Sequence, residues 1–335
     1  MTIRPRTVLA MTETTAQRLF DEPARSGLAR LTRLDTVPGG FESASARSAL
    51  AEAEILVTAW GSPQLDATLL AAAPRLRALF HAGGTVRRLV TDASWDRGIV
   101  VVSAAAANAV PVAEFTLAAV LYAGKRIPLY ARKLHASRGG SWASRSGDPA
   151  VSNYRRVVGL VGLSRIGRRV ADLLRPFDLD VLAADPYATP ELAMSLGVTL
   201  TDLDDLVRRS DVVSLHAPSL PSTRHLIDAR RLSVMRDGAT LINTARGALV
   251  DTDALTKELV AGRLHAVLDV TDPEPLPADS PLYDLPNVQL TPHLAGSTGT
   301  ELFRMGGLVV AEIARYLDGA PLRHQVRRAD MDHVA

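Results

Sequence analysis

Short apolar segments that alternate with helix-forming segments are the feature that most constrains the fold of this 335-residue chain. From residue 157 onward the apolar segments show no polar alternation, which is typical of strands buried on both faces of a parallel sheet. The alternation of apolar and helix-forming segments predicts an α/β architecture with helices covering mostly parallel sheets. The length of the chain predicts two domains. The predicted strands are Thr7–Met11, Thr32–Val37, Ile55–Trp60, Leu76–His81, Ile99–Ser103, Val157–Leu163, Asp180–Ala184, Val212–His216, Thr240–Thr244, His265–Val270 and Val288–Leu290. The predicted helices include Ser43–Ala53, Leu65–Ala73, Val112–Lys125, with Pro111 suited to its first position, and Thr298–Leu317, with Gly319 as its stop.

Composition excludes several classes of protein. The chain has no cysteine, which excludes disulfides, thiolate nucleophiles and cysteine-ligated zinc and fits a reducing cytoplasm. Its first residues are too short an apolar stretch for a signal peptide, and no apolar run is expected to reach the roughly 18 residues that span a bilayer. The arginines are scattered and the net charge is only +2, so neither a nucleic-acid nor a membrane partner is expected.

One segment, Val157–Val170, runs from a predicted strand through glycines directly into a predicted helix. This arrangement places backbone N–H groups at a helix start, where they can bind the pyrophosphate of a dinucleotide. Gly162 would form the tight turn and Gly167 the close contact between helix and strand, whereas Ser164 replaces the middle glycine of the usual motif. A purely structural turn is the alternative.

Asp185 lies 18 residues beyond Gly167, at the end of the next predicted strand. An acid at this position binds the ribose hydroxyls of a dinucleotide. Because Pro186 and Tyr187 follow it and no basic residue is nearby to hold a 2′-phosphate, the segment favours NAD over NADP. A helix cap or turn former is the alternative reading of Asp185.

Three further polar residues follow three successive predicted strands. Arg246 has the planar fork that captures a carboxylate, His293 can titrate near neutrality, and Glu274 could orient a histidine. Each alone is more often structural, as a surface arginine or a packed histidine. The carboxyl ends of parallel strands meet at one edge of a sheet, where ligands bind, so the three together indicate an active site.

With these motifs in place, the chain resembles the D-isomer-specific 2-hydroxyacid dehydrogenase family along nearly its whole length. The resemblance is carried by N-T-A-R-G at 243–247, D-V-T-D-P-E-P-L-P at 269–277 and L-P-N-V-Q-L-T-P-H-L-A-G-S-T at 285–298. His216-Ala-Pro218 with Thr223 is similar to the family's cofactor-lining stretch, and Val112-Ala-Glu114 to the start of its interdomain helix.

The resemblance implies NAD-dependent hydride transfer to or from a small 2-oxo or 2-hydroxy acid. His293 would be the acid/base, Glu274 its partner that stabilises the protonated ring, and Arg246 the substrate anchor, with Gly83 and Gly84 holding the substrate carboxylate from the other domain. No metal site is implied. The implied cofactor-binding residues are Gly162, Ser164, Arg165, Ile166, Asp185, His216, Pro218, Thr223, Thr244, Asp269 and Gly296.

The same resemblance implies two Rossmann-like or flavodoxin-like domains with parallel sheets. Residues 1–105 and 298–335 would form the substrate-binding domain, and residues 106–297 an inserted NAD-binding domain. Family members are typically homodimers built on the cofactor domain. The Gly- and Ser-rich segment Ser137–Asn153 is therefore predicted to be a loop or arm, with Trp142 either anchoring a partner subunit or packing locally.

Several positions depart from the family pattern and leave the substrate open. Thr271 stands where an aromatic residue is common, His81, Arg87 and Arg88 are unusual near the glycine loop, and Trp60 could contact a substrate tail or pack in the core. Alternatives are an NAD(H)-sensing corepressor-like binding protein, a phosphite dehydrogenase, and a 3-phosphoglycerate dehydrogenase, for which Arg87 and Arg88 could bind phosphate or be simply solvated. Formate oxidation is disfavoured because Glu274 stands where such enzymes carry glutamine.

Overall fold

The computed structural model describes residues 4–37, 41, 43–138 and 151–332. The chain divides into two compact units: the described residues up to Asn108 together with those from Ser297, and the continuous segment Ala109–Gly296. The strands are β1 Arg6–Ala10, β2 Arg33–Val37, β3 Ile55–Thr58, β4 Ala78–His81, β5 Val100–Ser103, β6 Arg156–Val161, β7 Leu179–Ala184, β8 Thr199–Leu200, β9 Val212–Leu215, β10 Thr240–Asn243, β11 His265–Leu268, β12 Val288–Leu290 and β13 Gln325–Val326. The helices are α1 Glu13–Leu19, α2 Glu22–Leu31, α3 Ala44–Glu52, α4 Ala67–Ala72, α5 Asp92–Asp96, α6 Ala105–Gly124, α7 Ile127–Ser137, α8 Arg165–Leu174, α9 Pro190–Leu196, α10 Leu203–Arg209, α11 Ala229–Val234, α12 Thr252–Val260 and α13 Leu302–Leu317.

The discontinuous unit contains a six-stranded sheet in the order β13-β5-β4-β3-β1-β2. Strands β1 to β5 are parallel to one another, and β13 pairs antiparallel with β5. The parallel part has the 2-1-3-4-5 order of flavodoxin-like folds. Helices cover both faces, because two separate clusters of buried side chains lie against the sheet. In one of them α13 packs against α1 so closely that a Cβ on Gly306 would lie 1.9 Å from the carbonyl oxygen of Leu19.

The continuous unit contains a parallel seven-stranded sheet in the order β12-β11-β10-β9-β6-β7-β8. Counted from β6, this is the doubly wound Rossmann order, which reverses between β6 and β9. The central strands are almost fully buried, and apolar clusters lie on both faces of the sheet. The predicted α/β class with parallel sheets is confirmed. The order also sets the site, because ligands bind at the carboxyl ends of strands where the order reverses.

Helix α6 begins seven residues before the predicted start, so Pro111 lies inside the helix and not at its first position. The prediction that no apolar run reaches a membrane-spanning length is also too strong. By length and composition Ala105–Gly124 is the one helix among the described residues that could cross a membrane, and 44% of its apolar 18-residue stretch is buried within the protein. A core helix passes the same test, and Ala113, Thr116 and Val120 of α6 are buried.

The stretch around the predicted arm is partly helical. Helix α7 continues to Ser137, and Arg132 on it donates to the carbonyl oxygens of Leu285 and Val288 at 2.6 and 3.3 Å. The sequence did not predict α7, because its apolar and charged residues have no clear stripe. Residues 139–150 of the predicted arm, which include Trp142, lie outside the described residues.

Candidate active site

The glycine loop after β6 is built so that no side chain lies between it and the strand end of β9. Gly162 has φ +98°, and a Cβ there would lie 2.8 Å from the backbone nitrogen of Ala217. A Cβ on Gly167 would lie 2.1 Å from the carbonyl oxygen of Gly162. Both positions therefore require glycine, one for its backbone conformation and both for space. They bring the start of α8, with the first-turn N–H groups of Arg165 and Ile166, next to the turn.

Ser164 is accommodated in place of the usual glycine because its backbone is extended, with φ −65° and ψ −174°. Its hydroxyl donates to the carbonyl oxygen of His216 over 2.9 Å. The single hydroxyl proton is thus used within the protein, and Ser164 joins the glycine loop to the segment after β9.

Asp185 lies at the end of β7, beside the same loop. Its two carboxylate oxygens accept the backbone N–H groups of Leu163, at 2.6 Å, and Tyr187, at 2.8 Å. These bonds fix the carboxylate next to the glycine turn, where an acid would meet a ribose. The bond to Leu163 also explains why turn and acid occur together.

The segment after β9 contains a buried histidine with one unsatisfied nitrogen. The His216 ring bonds through Nε2 to the Ser214 hydroxyl at 3.0 Å, and Nδ1 has no partner among the described residues. Burial lowers the pKa of His216 to about 3, so the ring is neutral at physiological pH. Thr223 donates to the carbonyl oxygen of Pro218 over 2.6 Å and closes this loop.

These features fit a dinucleotide. The loop has no Cβ where a pyrophosphate would approach, the start of α8 offers N–H groups, the acid stands at the next strand end, and a buried polar atom lacks a partner. Among the described residues no group of three or more His, Asp or Glu side chains could hold a metal ion.

Arg246 follows β10 in a loop fixed by Asn243. The Asn243 amide donates to the carbonyl oxygen of Arg246 at 2.9 Å and accepts the N–H of Ala245 at 3.1 Å. Next to it a Cβ on Gly247 would lie 2.0 Å from the carbonyl carbon and oxygen of Thr271. The loop that carries Arg246 and the loop that leads to Glu274 are therefore in direct backbone contact.

Thr244, in the same loop, is linked to α6. Its hydroxyl lies 3.0 Å from that of Thr116, which itself donates to the carbonyl oxygen of Val112. Both threonines are buried, so the pair fixes Thr244 against the helix. Sequence reasoning missed both Asn243 and Thr116. A polar residue in the last position of a buried strand could have indicated Asn243, whereas a threonine within an apolar helix has no distinguishing mark.

The side chains of His293 and Glu274 are hydrogen-bonded, a pairing that the family resemblance implies. His293 Nδ1 lies 2.6 Å from Glu274 Oε1, and the two side chains are 49% and 42% exposed. His293 adopts φ +51°, and its N–H donates to the carbonyl oxygen of Asp269 at 3.0 Å. The pair lies beside a cavity of about 680 Å³ within this unit, which Asp269 and Thr271 also line. Because Nδ1 faces the carboxylate, Nε2 is the atom left for a substrate.

Asp269 is bonded into the loop that carries His293. It accepts the Thr291 hydroxyl at 2.6 Å and the N–H groups of Leu294 and Ala295 at 2.8 and 2.9 Å, and it is only 2% exposed. Its oxygens thus shape the turn from residue 291 to 295, which ends one residue before Gly296.

The remaining predicted residues lie in the discontinuous unit. Gly83 and Gly84 follow β4 in a turn, and a Cβ on Gly83 would lie 2.2 Å from His81 Nε2. Trp60 follows β3 and is 55% exposed, so the core-packing alternative is wrong. The Arg87 guanidinium donates to the carbonyl oxygen of Met331, whereas Arg88 is exposed.

Comparisons with known proteins identify the family of the chain. Residues 117–295 match the family model described as D-isomer specific 2-hydroxyacid dehydrogenase, NAD binding domain. The chain is 36% identical over 318 residues to the D-3-phosphoglycerate dehydrogenase of Mycobacterium tuberculosis, a match that covers 95% of this chain and 56% of the relative. It is 34% identical over 275 residues to the glyoxylate reductase of Aeropyrum pernix, covering 80% of this chain and 81% of the relative.

Among solved structures, the D-mandelate dehydrogenase of Rhodotorula graminis superposes with a TM-score of 0.80 at 26% identity, covering 97% of this chain and 98% of that one. The chain spans about half the length of the D-3-phosphoglycerate dehydrogenases that it matches. The match over residues 117–295 and the alignment with the glyoxylate reductase over about four fifths of both chains place the chain in the D-isomer specific 2-hydroxyacid dehydrogenase family, with NAD as its cofactor.

Proposed function

We propose that the protein is an NAD-dependent oxidoreductase that interconverts a small 2-oxo acid and its 2-hydroxy acid. The observation that carries this proposal is the 2.6 Å bond between His293 Nδ1 and Glu274 Oε1. It leaves Nε2 directed away from its partner, as acid/base chemistry requires. The loop that carries Arg246 contacts the loop leading to Glu274 through the backbones of Gly247 and Thr271.

Bound NAD supplies the hydride acceptor, and its reduced form the donor. In the reductive direction His293 donates a proton from Nε2 to the substrate carbonyl oxygen, and in the oxidative direction it takes that proton back. The Glu274 carboxylate accepts a hydrogen bond from Nδ1 and holds the ring in place. Arg246 binds the substrate carboxylate and polarises the carbonyl. Asp269 acts as a positioning residue for His293, since its oxygens accept three donors from residues 291–295.

We assign cofactor binding to residues 106–297 and substrate binding to residues 1–105 and 298–335. In the first, the N–H groups of Arg165 and Ile166 would hold the pyrophosphate and Asp185 the ribose. The residues that would line the rest of the cofactor site are Gly162, Ser164, His216, Pro218, Thr223, Thr244 and Gly296. In the second, backbone N–H groups at Gly83 and Gly84 hold the substrate carboxylate. The exposed Trp60 would contact the substrate's tail, which favours an apolar or flat one.

The protein also fits a cytoplasmic homodimer built on the NAD-binding unit. The exposed apolar residues Tyr122, Ile127 and Leu134, which are 49%, 38% and 58% exposed on the consecutive helices α6 and α7, are the surface that we assign to this interface. Light scattering coupled to size exclusion measures the mass directly. A mass near twice the 35.8 kDa of the chain is expected, and Leu134→Glu should reduce it.

The second candidate substrate is 3-phosphoglycerate, because several relatives at 34–38% identity are named for it. Arg88 is exposed close to the glycine turn and could meet a phosphate, whereas Arg87 is bonded to Met331. We rank this candidate second because only Arg88 presents its guanidinium to solvent there.

The deciding experiment follows NADH oxidation at 340 nm with glyoxylate, hydroxypyruvate, pyruvate and phenylpyruvate, and NAD reduction with D-3-phosphoglycerate and phosphite. Saturable activity with a 2-oxo acid supports the proposal, and the preferred chain length tests the role of Trp60. Turnover of only D-3-phosphoglycerate or only phosphite would mean that this compound is the substrate in place of a small 2-oxo acid. Tight NADH binding with no turnover of any compound would contradict an enzyme and favour an NAD(H)-sensing protein.

A further inference from the structure

His81 is the buried side chain nearest to the glycine turn of the substrate-binding unit, and the proposed reaction does not yet use it. It is the last residue of β4 and is 6% exposed. It pairs in register with Thr58 at the end of β3, whose carbonyl oxygen accepts the N–H of Ala82 at 2.8 Å. The imidazole is therefore held where the two strands lead into the turn at Gly83 and Gly84.

The hydrogen bond to Thr58 fixes which ring nitrogen carries the proton. Thr58 Oγ1 lies 2.9 Å from His81 Nδ1, and Thr58 is 1% exposed with no other side-chain hydrogen bond among the described residues. If Nδ1 carried the proton, the Thr58 hydroxyl proton would be buried without an acceptor, which is costly. Thr58 therefore donates to Nδ1, and Nε2 carries the ring proton.

The Nε2 atom faces the glycine turn. A Cβ on Gly83 would lie 2.2 Å from Nε2 and 2.8 and 2.9 Å from the two flanking ring carbons, so Nε2 points into the space that a side chain would fill. Nε2 makes no hydrogen bond with the described residues, yet it is not among their sealed, unpartnered polar atoms. The Nε2–H donor of His81 is therefore accessible beside the backbone N–H groups of Gly83 and Gly84.

We propose that His81 binds the substrate carboxylate through its Nε2–H, as a neutral third donor beside the N–H groups of the glycine turn. This inference rests on the proposed function, since it assumes that the turn receives a carboxylate. Burial lowers the pKa of His81 to about 4, so the ring remains a neutral donor under physiological conditions. A neutral donor with one proton suits a small monoanionic carboxylate.

Two substitutions separate the two ring nitrogens. His81→Asn keeps a polar atom near the position of Nδ1, next to Thr58, but removes the donor at Nε2. His81→Gln places an amide N–H near the position of Nε2. The probe is oxamate, a stable analogue of a 2-oxo acid, titrated into the NADH complex while cofactor fluorescence is followed.

We expect His81→Asn to raise the Kd of oxamate about ten- to a hundredfold, the range for a hydrogen bond to a charged group. His81→Gln should restore most of the affinity, and the Kd of NADH alone should change less than about twofold in both variants, because a loss of folding would weaken both ligands. Equal oxamate affinity in His81→Asn and the parent protein would overturn this inference alone. A parent protein that binds NADH but no oxamate or 2-oxo acid would overturn it together with the proposed function.

A measurement on the unsubstituted protein covers the case in which a variant does not fold. Nitrogen-15 shifts of the imidazole report which ring nitrogen is protonated. We expect the Nε2–H form of His81 in the NADH complex, with Nε2 shifting when oxamate binds. An Nδ1–H form, or an Nε2 shift insensitive to saturating oxamate, would overturn the inference.

Discussion

The Ser164 hydroxyl donates to the carbonyl oxygen of His216 over 2.9 Å, so a side chain joins the glycine loop to the segment after β9 at a position where the dinucleotide-binding motif has glycine. Removal of the hydroxyl leaves that carbonyl without this donor and loosens the loop that faces the cofactor.

We expect Ser164→Ala to raise the Kd of NADH about three- to tenfold, the usual range for losing one neutral hydrogen bond. Fluorescence titration measures it. Ser195→Ala is the matched control, since the Ser195 hydroxyl also donates to a carbonyl oxygen, that of Leu192, but on the exposed surface. If both variants bound NADH like the parent, the bond would have no role in holding the loop.

The acid/base role of His293 is tested by His293→Asn. Asparagine tolerates the left-handed backbone of this position, φ +51°, so the fold should be kept while the proton donor is lost. We expect kcat to fall about 10²- to 10⁴-fold, with the Kd of NADH nearly unchanged. His225→Asn is the matched control, because His225 has φ +50°. Near-normal turnover in His293→Asn would remove His293 from the mechanism.

The buried histidines predict a loss of stability in mild acid. Burial lowers the pKa of His81 to about 4 and that of His216 to about 3, against 6.5 for an ordinary histidine. Between these values the unfolded chain binds protons that the folded protein excludes. Stability therefore falls as the pH drops from 6.5 towards 4, by about 1.4 kcal/mol per pH unit for each histidine.

This pH effect can be assigned to one residue with His81→Gln, which cannot titrate. Thermal unfolding at pH 7 and pH 5 should show a smaller drop in Tm for His81→Gln than for the parent protein. A drop of the same size in both would mean that His81 is already protonated in the folded protein at pH 5.

Alanine substitutions at two adjacent glycines of α13 should change the free energy of unfolding in opposite directions. A Cβ on Gly306 would lie 1.9 Å from the carbonyl oxygen of Leu19, whereas one on Gly307 would meet nothing within 4 Å. Gly306→Ala should lower the free energy of unfolding by about 2 kcal/mol or more through displacement of α13 from α1. Gly307→Ala should raise it by about 0.5–1 kcal/mol, the difference in helix propensity. Urea unfolding compares them, and equal effects would contradict the close approach of the two helices.

Cofactor choice is predicted to depend on Asp185. The backbone N–H groups of Leu163 and Tyr187 hold its carboxylate in one orientation. The 2′-phosphate of NADPH would therefore be repelled by a negative charge that cannot rotate out of its way. We expect kcat/KM for NADH to exceed that for NADPH by about 100-fold or more, and Asp185→Asn to narrow the ratio to about tenfold. Asp172→Asn, on the exposed side of α8, should leave the ratio unchanged. Similar use of both cofactors by the parent protein would contradict this role.

The sequence predicts the central strands well because they are apolar on both faces, and β12 has the predicted limits Val288–Leu290. The two-residue strands β8 and β13 were not predicted, since neighbouring strands hold them and their own residues carry no pattern. Helices α1, α2 and α7 were missed because they are short or mixed in polarity. Pro111 was misread as a helix start, because the apolar contacts of α6 outweigh the hydrogen bond that proline removes.

For the site, the sequence points to polar side chains that follow strands, such as His293 and Glu274, and the structure brings these two together. It does not show that Asp269 is bonded to the N–H groups of Leu294 and Ala295, because backbone donors leave no mark in a sequence. The same holds for the tautomer of His81, which depends on a threonine 23 positions away.

The backbone contact between Gly247 and Thr271 has a consequence for how this family can diversify. Since main-chain atoms touch there, the spacing of Arg246 and Glu274 is set by the chain itself and not by the side chains around them. Substitutions on the walls of the neighbouring cavity would then leave the spacing of the residues proposed for acid/base chemistry unchanged. Any residue larger than glycine at 247 would collide with the Thr271 backbone and push the two loops apart, so the freedom to vary the cavity walls depends on the absence of a side chain at that one position.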